Sequence, residues 1–185
     1  MALQTLRSWF TAPMLFSFLI FGTMPLWIDA VGLYQYLGLE VMIWIIFALA
    51  VNMLLGYTGL PSFGHGAFFG VGAYSYGLFQ LNVFESVWLA VAAGVVGGAV
   101  VAGLVACFIS HRRGIYYALM TIAFGQVCWF VSMKWHTVTG GEDGLLNVHR
   151  GTLNLLVTDA SLKDNADLFY FAFAVLVAVV LILWR

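Results

Sequence analysis

The apolar positions of this chain come in long runs separated by short polar stretches, not in the one-sided periodicity of helices or strands that face water. A first run extends from about Ala12 to Ile28, with Pro13 near its start and Pro25 placed to bend or end it. Asp29 to Glu40 is a polar link, and a second run begins at Val41 and leads into a glycine-rich interruption. A third resumes from about Gly66 to Phe84, and Glu85 marks the turn that follows it. A fourth covers Val87 to Ile109, a fifth Ile115 to Met133, and a sixth Leu168 to Trp184. Lys134 to Asp167 is the one long polar loop. A helix needs roughly 20 apolar residues to cross the hydrocarbon core. The pattern therefore predicts an all-α fold: a polytopic integral membrane helical bundle of about six apolar segments, one region of it broken by Gly and Pro, forming a single transmembrane domain over residues 1–185.

The interruption organises the rest. Between Gly56 and Gly66 the apolar run is broken by Gly56, Thr58, Gly59, Pro61, Ser62, Gly64, His65 and Gly66. These residues release φ, remove a backbone donor or compete for backbone hydrogen bonds. Irregular backbone at bilayer depth persists only where protein buries it or where it lines a watery cavity. The break is thus the first place to look for a solute path. Beyond it, Gly66, Gly70, Ala73 and Gly77 fall on one helical stripe, and Gly94 and Gly98 form a second in the fourth run, both suited to close helix packing.

Composition bears this out. With 63% apolar and 8% charged residues the chain is no ordinary soluble domain, and its 185 residues leave no room for a separate enzyme head outside the membrane. A formal charge of −1 with no basic run argues against nucleic acid as partner. Cys107 and Cys128 sit within apolar runs as small hydrophobes. Arg7, Arg112, Arg113 and Arg185 fall on one side if every run crosses, which predicts cytoplasmic ends and an outward-facing long loop. An end at Arg185, directly after a span, reads as the front part of a longer protein.

Candidate chemistry is sparse. Gly59 to Gly64 has the glycines of a phosphate loop, but His65 and Gly66 stand where Lys and Ser or Thr are required. No two histidines share helical spacing and no cysteine joins them, so no metal site is expected. Ser62 has His65 nearby but no buried carboxylate, so no catalytic residues are assigned. Asn52, Ser62, Gly64 and His65 are read as candidates for the solute path, and for the polar side chains the alternative is that they satisfy the freed backbone. Thr121, with Gly125 one turn on, is either a packing notch or part of the path lining. Thr139-Gly140-Gly141-Glu142-Asp143-Gly144-Leu145 predicts a tight turn with free backbone amides.

Three stretches carry a resemblance. NMLLGYTGLPSFGHGAFFGVGAY from Asn52 to Tyr74, RRGIYYALMTIAF from Arg112 to Phe124 and TGGEDGL from Thr139 to Leu145 resemble, in motif and in order, the permease of the branched-chain amino acid ABC importers, the Liv-type M subunit family. On this chain the first motif falls on Asn52, Gly56, Gly59, Ser62, Gly64, His65, Gly66 and Gly70, and the third on Thr139, Gly140, Gly141 and Gly144. The resemblance covers the chain from about residue 40 onward and implies a multi-pass permease of the bacterial inner membrane. It further implies a second permease subunit, two cytoplasmic ATPase subunits carrying ATP and Mg, and a periplasmic solute-binding protein, with no cofactor in this chain itself. Branched-chain amino acids are the expected cargo, with urea or short amides as relatives of it. The competing reading is a secondary transporter or channel for a small polar solute, which should show an intramembrane carboxylate for ion coupling; no acid lies deep within a run.

Overall fold

Helix α2 (Gln35–Met53) begins six residues before the apolar run that announces it. The stretch expected as a link is half helix, anchored by Gly38 and Leu39, which are buried while Tyr36, Leu37 and Glu40 stay exposed. The computed structural model describes residues 16, 18–25, 27–28, 31–32, 34–83, 86–148, 152–155, 158–161 and 165–184. Residues 12–15 of the first run, with Arg7, Glu85, Arg150, Lys163 and Arg185, lie outside the described residues.

Contacts divide the chain into two units, Met1–Ile46 with Lys163–Arg185, and Phe47–Leu162. In the first, α1 is described at residues 16, 18–25 and 27, and its hydrogen-bond ladder runs on past Pro25, with Ile28 N–H donating to Met24 O at 3.0 Å. The unit's core is Ile28, Leu39, Met42, Phe169 and Leu176, all buried. Gly38 of α2 makes room for the Phe169 ring of α7 (Asn165–Trp184), which would lie 2.9 Å from a Cβ at that position. Phe18 and Phe173 meet edge to face at 6.1 Å.

The second unit contains the end of α2 and helices α3 (His65–Asn82), α4 (Val87–Ile109) and α5 (Ile115–Lys134). Their starts and ends fall within a residue or two of the sequence expectation. Among the described residues Tyr36–Thr58, Val87–Ile109 and Ile115–Lys134 are long and apolar enough to cross a membrane, and Asp167–Leu183 is a shorter apolar helix. Helix α3 is long enough at 18 residues, but Ser75, Gln80 and Asn82 dilute it.

α3 and α4 pack at glycines, though not along the stripe expected on α3. The contact is made by Gly72: a Cβ on Gly94 would lie 3.0 Å from Gly72 O, and one on Gly98 3.6 Å from Phe68 O. Ser75 fills the gap opposite Gly97, where a side chain would collide with it. A side chain at Gly66 or Gly70 would meet nothing within 4 Å, so that end of the expected seam is uncovered by any described residue. The reason is register: the glycines of α4 are met by positions 68, 72 and 75, which lie round the helix from 66, 70, 73 and 77.

The long loop has structure of its own. A single turn α6 (His136–Thr139) and a 3-10 turn over Gly141–Asp143 follow α5. Further on, β1 (Thr152–Leu155) and β2 (Thr158–Ser161) pair antiparallel with Thr152 opposite Ser161. The fold is thus helical with one short hairpin in its longest connection.

Candidate solute path

Helix α2 does not stop cleanly. Its last turn widens into a π-turn over Leu54–Thr58, a form that recurs at functional sites. Thr58 Oγ1 donates to Leu54 O at 2.5 Å, and Gly59, left-handed at φ 66°, donates its N–H to Leu55 O at 3.0 Å. Leu60 N–H reaches Thr58 Oγ1 at 3.4 Å. Residues 59–64 are not helical, and α3 restarts at His65 with Ala67 N–H on Gly64 O at 3.0 Å.

The broken segment docks on α5. Phe63 N–H donates to Thr121 Oγ1 at 3.1 Å, while that hydroxyl donates to Ala118 O at 2.7 Å. Gly64 is buried against the same turn: a Cβ there would lie 2.5 Å from Thr121 O, and one on Gly125 would lie 3.6 Å from Gly64 Cα. Thr121 and Gly125 are six and ten residues into α5. At 1.5 Å per residue this sets the break about 9–15 Å inside the helix end. The irregular backbone is therefore held against the body, not the end, of a helix long and apolar enough to cross a membrane.

Thr121 is 1% exposed and both roles of its hydroxyl are taken, so it forms the notch in which the break sits. Ser62 and His65 behave differently. Ser62 Oγ and His65 Nδ1 are buried, and among the described residues no well-formed hydrogen bond reaches either atom. The imidazole faces the Ser62 main chain and is bracketed edge to face by Phe47 at 6.4 Å and Phe68 at 6.1 Å. The freed backbone is instead served by Thr58, by Thr121, and by Pro61, which has no N–H to satisfy. Asn52 is exposed on α2, with its Oδ1 3.9 Å from where a Gly56 Cβ would stand. The structure thus brings Ser62, Gly64, His65 and Thr121 together around one break and leaves Asn52 on the helix that leads to it.

The third motif makes a compact knot beyond α5. Gly140 (φ 78°) ends α6 with its N–H on His136 O at 3.1 Å, and Gly141 (φ 64°) and Gly144 (φ 69°) complete the turn. Thr139 Oγ1 donates to Ser132 O at 2.5 Å and lies 2.9 Å from Trp135 O, tying the knot to the helix. A side chain on Gly141 would collide with the His136 ring. The knot sends Leu145 back onto α3, where its Cδ1 is 2.8 Å from a Cβ position on Gly77.

One buried polar residue escaped the sequence reading. Gln80 of α3 is 6% exposed, and among the described residues the Tyr76 phenol is the group its amide approaches. A glutamine inside an apolar run was the available signal. Among the described residues no group of three or more His, Cys, Asp or Glu is placed to hold a metal ion.

Long apolar helices, glycine-packed, with irregular backbone seated against one of them, are the architecture of a multi-pass membrane protein. Residues 34–185 match the sequence profile of the family described as branched-chain amino acid transport system, permease component, and the chain belongs to that family. It is 31% identical over 126 residues to the high-affinity branched-chain amino acid transport system permease protein LivM of Salmonella typhimurium strain LT2, covering 67% of this chain and 29% of that protein. It is 32% identical over 114 residues to the LivM protein of Escherichia coli K12, covering 60% of this chain and 26% of that one. The matched region thus spans little more than a quarter of these curated relatives. No solved structure matches the chain.

Proposed function

We propose that this chain is part of the membrane-spanning permease of an ATP-driven importer that passes branched-chain amino acids across the bacterial inner membrane. One observation supports a solute route through it above others: Ser62 Oγ and His65 Nδ1 are buried, without well-formed hydrogen bonds among the described residues, beside irregular backbone that docks about 9–15 Å from the start of α5. Polar atoms buried there are costly unless something supplies hydrogen bonds. A zwitterionic amino acid carries both the donors and the acceptors they lack. The energy comes from elsewhere, since the chain has no phosphate loop; two cytoplasmic ATPase subunits using ATP and Mg provide it. A second permease subunit completes the membrane part, and a periplasmic binding protein delivers the solute. Both ends face the cytoplasm, as the flanking arginines favour.

The test is uptake of radiolabelled leucine into proteoliposomes holding the complete permease that carries this sequence, with its ATPase and binding-protein partners. Accumulation that requires enclosed ATP is expected. Leucine entry driven by an ion gradient without ATP contradicts the importer reading and returns the secondary transporter.

A further inference from the structure

The break leaves the imidazole of His65 without a firm polar anchor. Residues 59–64 are not helical, so no backbone ladder carries the orientation of α2 across to α3, which starts at His65. A histidine ring is commonly fixed by a hydrogen bond on one nitrogen. Here the ring faces the Ser62 main chain, yet among the described residues no well-formed bond reaches the buried Nδ1. The χ2 torsion of histidine is broad and roughly two-fold. A half-turn about Cβ–Cγ would put carbon where nitrogen stood, and a hydrogen bond offered to a solute before the turn would be lost after it. What meets the ring is aromatic. Phe68, three residues on in α3, stands 6.1 Å away at 77°, and Phe47 of α2 stands 6.4 Å away at 84°. Phe68 travels with His65 on one helix. Phe47 comes from the other side of the break, within the membrane-length stretch Tyr36–Thr58, and its ring also meets Phe69 of α3 at 5.8 Å and 76°. It therefore spans the break and touches α3 at two successive turns.

We infer that Phe47 is a positioning residue of the solute path: its ring, near-perpendicular to the imidazole, holds His65 in the plane from which it bonds the solute. Phe47 acts through His65 and needs no contact with the solute itself. A flat, rigid ring is what the task requires, because an aliphatic side chain of similar volume fills the space but leaves the imidazole free to turn. An edge-to-face pair is worth about three- to tenfold in an equilibrium. The loss on removing it is bounded by the loss on removing the imidazole, since a group that only positions another cannot cost more than the group it positions. The proposal rests on the reading of His65 as part of the path and adds what sets the geometry there.

The experiment is a double-mutant cycle in the complete transporter, reconstituted in proteoliposomes with its partner subunits, reading leucine uptake per recovered complex. Phe47→Leu is expected to lower that rate about three- to tenfold, and Phe47→Tyr, which keeps the ring, to recover most of it. In the His65→Gln background Phe47→Leu is expected to cost nothing further, because residues that act as one unit are not additive. If Phe47→Leu does not assemble, Phe47→Met, whose flexible chain fills the space without a flat face, takes its place in the same cycle with the same expectation. Losses that multiply in the double variant, a tyrosine as poor as the leucine, or uptake that falls only in step with recovered complex overturns the positioning role. Loss of uptake in His65→Gln with normal uptake in Phe47→Leu also overturns it and leaves the path at the break standing. Normal uptake in His65→Gln removes that path and the role of Phe47 with it. Uptake that needs no ATP removes the importer reading, while the cycle still decides the positioning.

Discussion

Gly64 lies against Thr121 so closely that a Cβ on the glycine would come within 2.5 Å of the threonine carbonyl oxygen. The approach is backbone to backbone, so no side-chain rotation relieves it. Gly64 therefore decides whether residues 59–64 seat on α5, and Gly66, two positions on, provides the comparison because a side chain there meets nothing within 4 Å. Gly64→Ala is expected to lower the yield of folded protein and to destabilise it by about 1–3 kcal/mol, the usual cost of overpacking. Gly66→Ala is expected to be neutral or slightly stabilising, since alanine restricts the unfolded chain more than glycine does. Thermal unfolding in detergent, followed by size-exclusion chromatography, distinguishes them; equal losses contradict the seating of the break.

Thr121 holds the same segment from the other side. Thr121→Val preserves the shape but leaves the Phe63 N–H without its acceptor. A loss of about 0.5–1.5 kcal/mol is expected, the net worth of one hydrogen bond, here in a part-buried place. Thr121→Ser keeps the hydroxyl and should recover most of it. Amide hydrogen exchange at Phe63 should quicken in the valine variant and stay slow in the serine variant. Unchanged protection in both variants contradicts the bond.

On α4, Gly97 faces Ser75, while a side chain at Gly103 would meet nothing within 4 Å. Gly97→Ala should push α3 and α4 apart and cost about 1–3 kcal/mol; Gly103→Ala should cost nothing. Melting temperatures of the two variants check this, and a drop for Gly103→Ala alone reverses the assignment of the packed face.

Much of this was legible in the residue order. Lengths of α4 and α5 followed from runs of about 20 apolar residues, and the break followed from Gly59, Pro61 and Gly64 within one run. What escaped was orientation around the helix. Two small-residue faces exist on α3, and the one at Gly66 and Gly70 has the more regular spacing, yet Gly72 and Ser75 meet α4, because the contact is set by the partner's Gly94, Gly97 and Gly98. No pattern within α3 carries that information. The same holds for Thr121, whose spacing to Gly125 marked a notch but not the segment that fills it. Gln80 was visible as a polar residue in an apolar run, but its burial depends on elements distant in sequence.

Ser62 Oγ and His65 Nδ1 are buried with no hydrogen-bond partner among the described residues apart from the Ser62 main chain that the imidazole faces, and the solute path stands or falls with them. Side chains that only satisfied the broken backbone would, when removed, take assembly down with transport. The decisive measurement is ATP-driven uptake of radiolabelled leucine by His65→Gln and Ser62→Ala, each made in the complete permease with its partner subunits, alongside the amount of complex recovered. The expected result is uptake reduced about tenfold or more, as when a hydrogen bond to a charged group is lost, with recovery of the complex near that of the unaltered protein. Uptake that falls only in proportion to assembly, or uptake that does not fall, contradicts a solute path at the break.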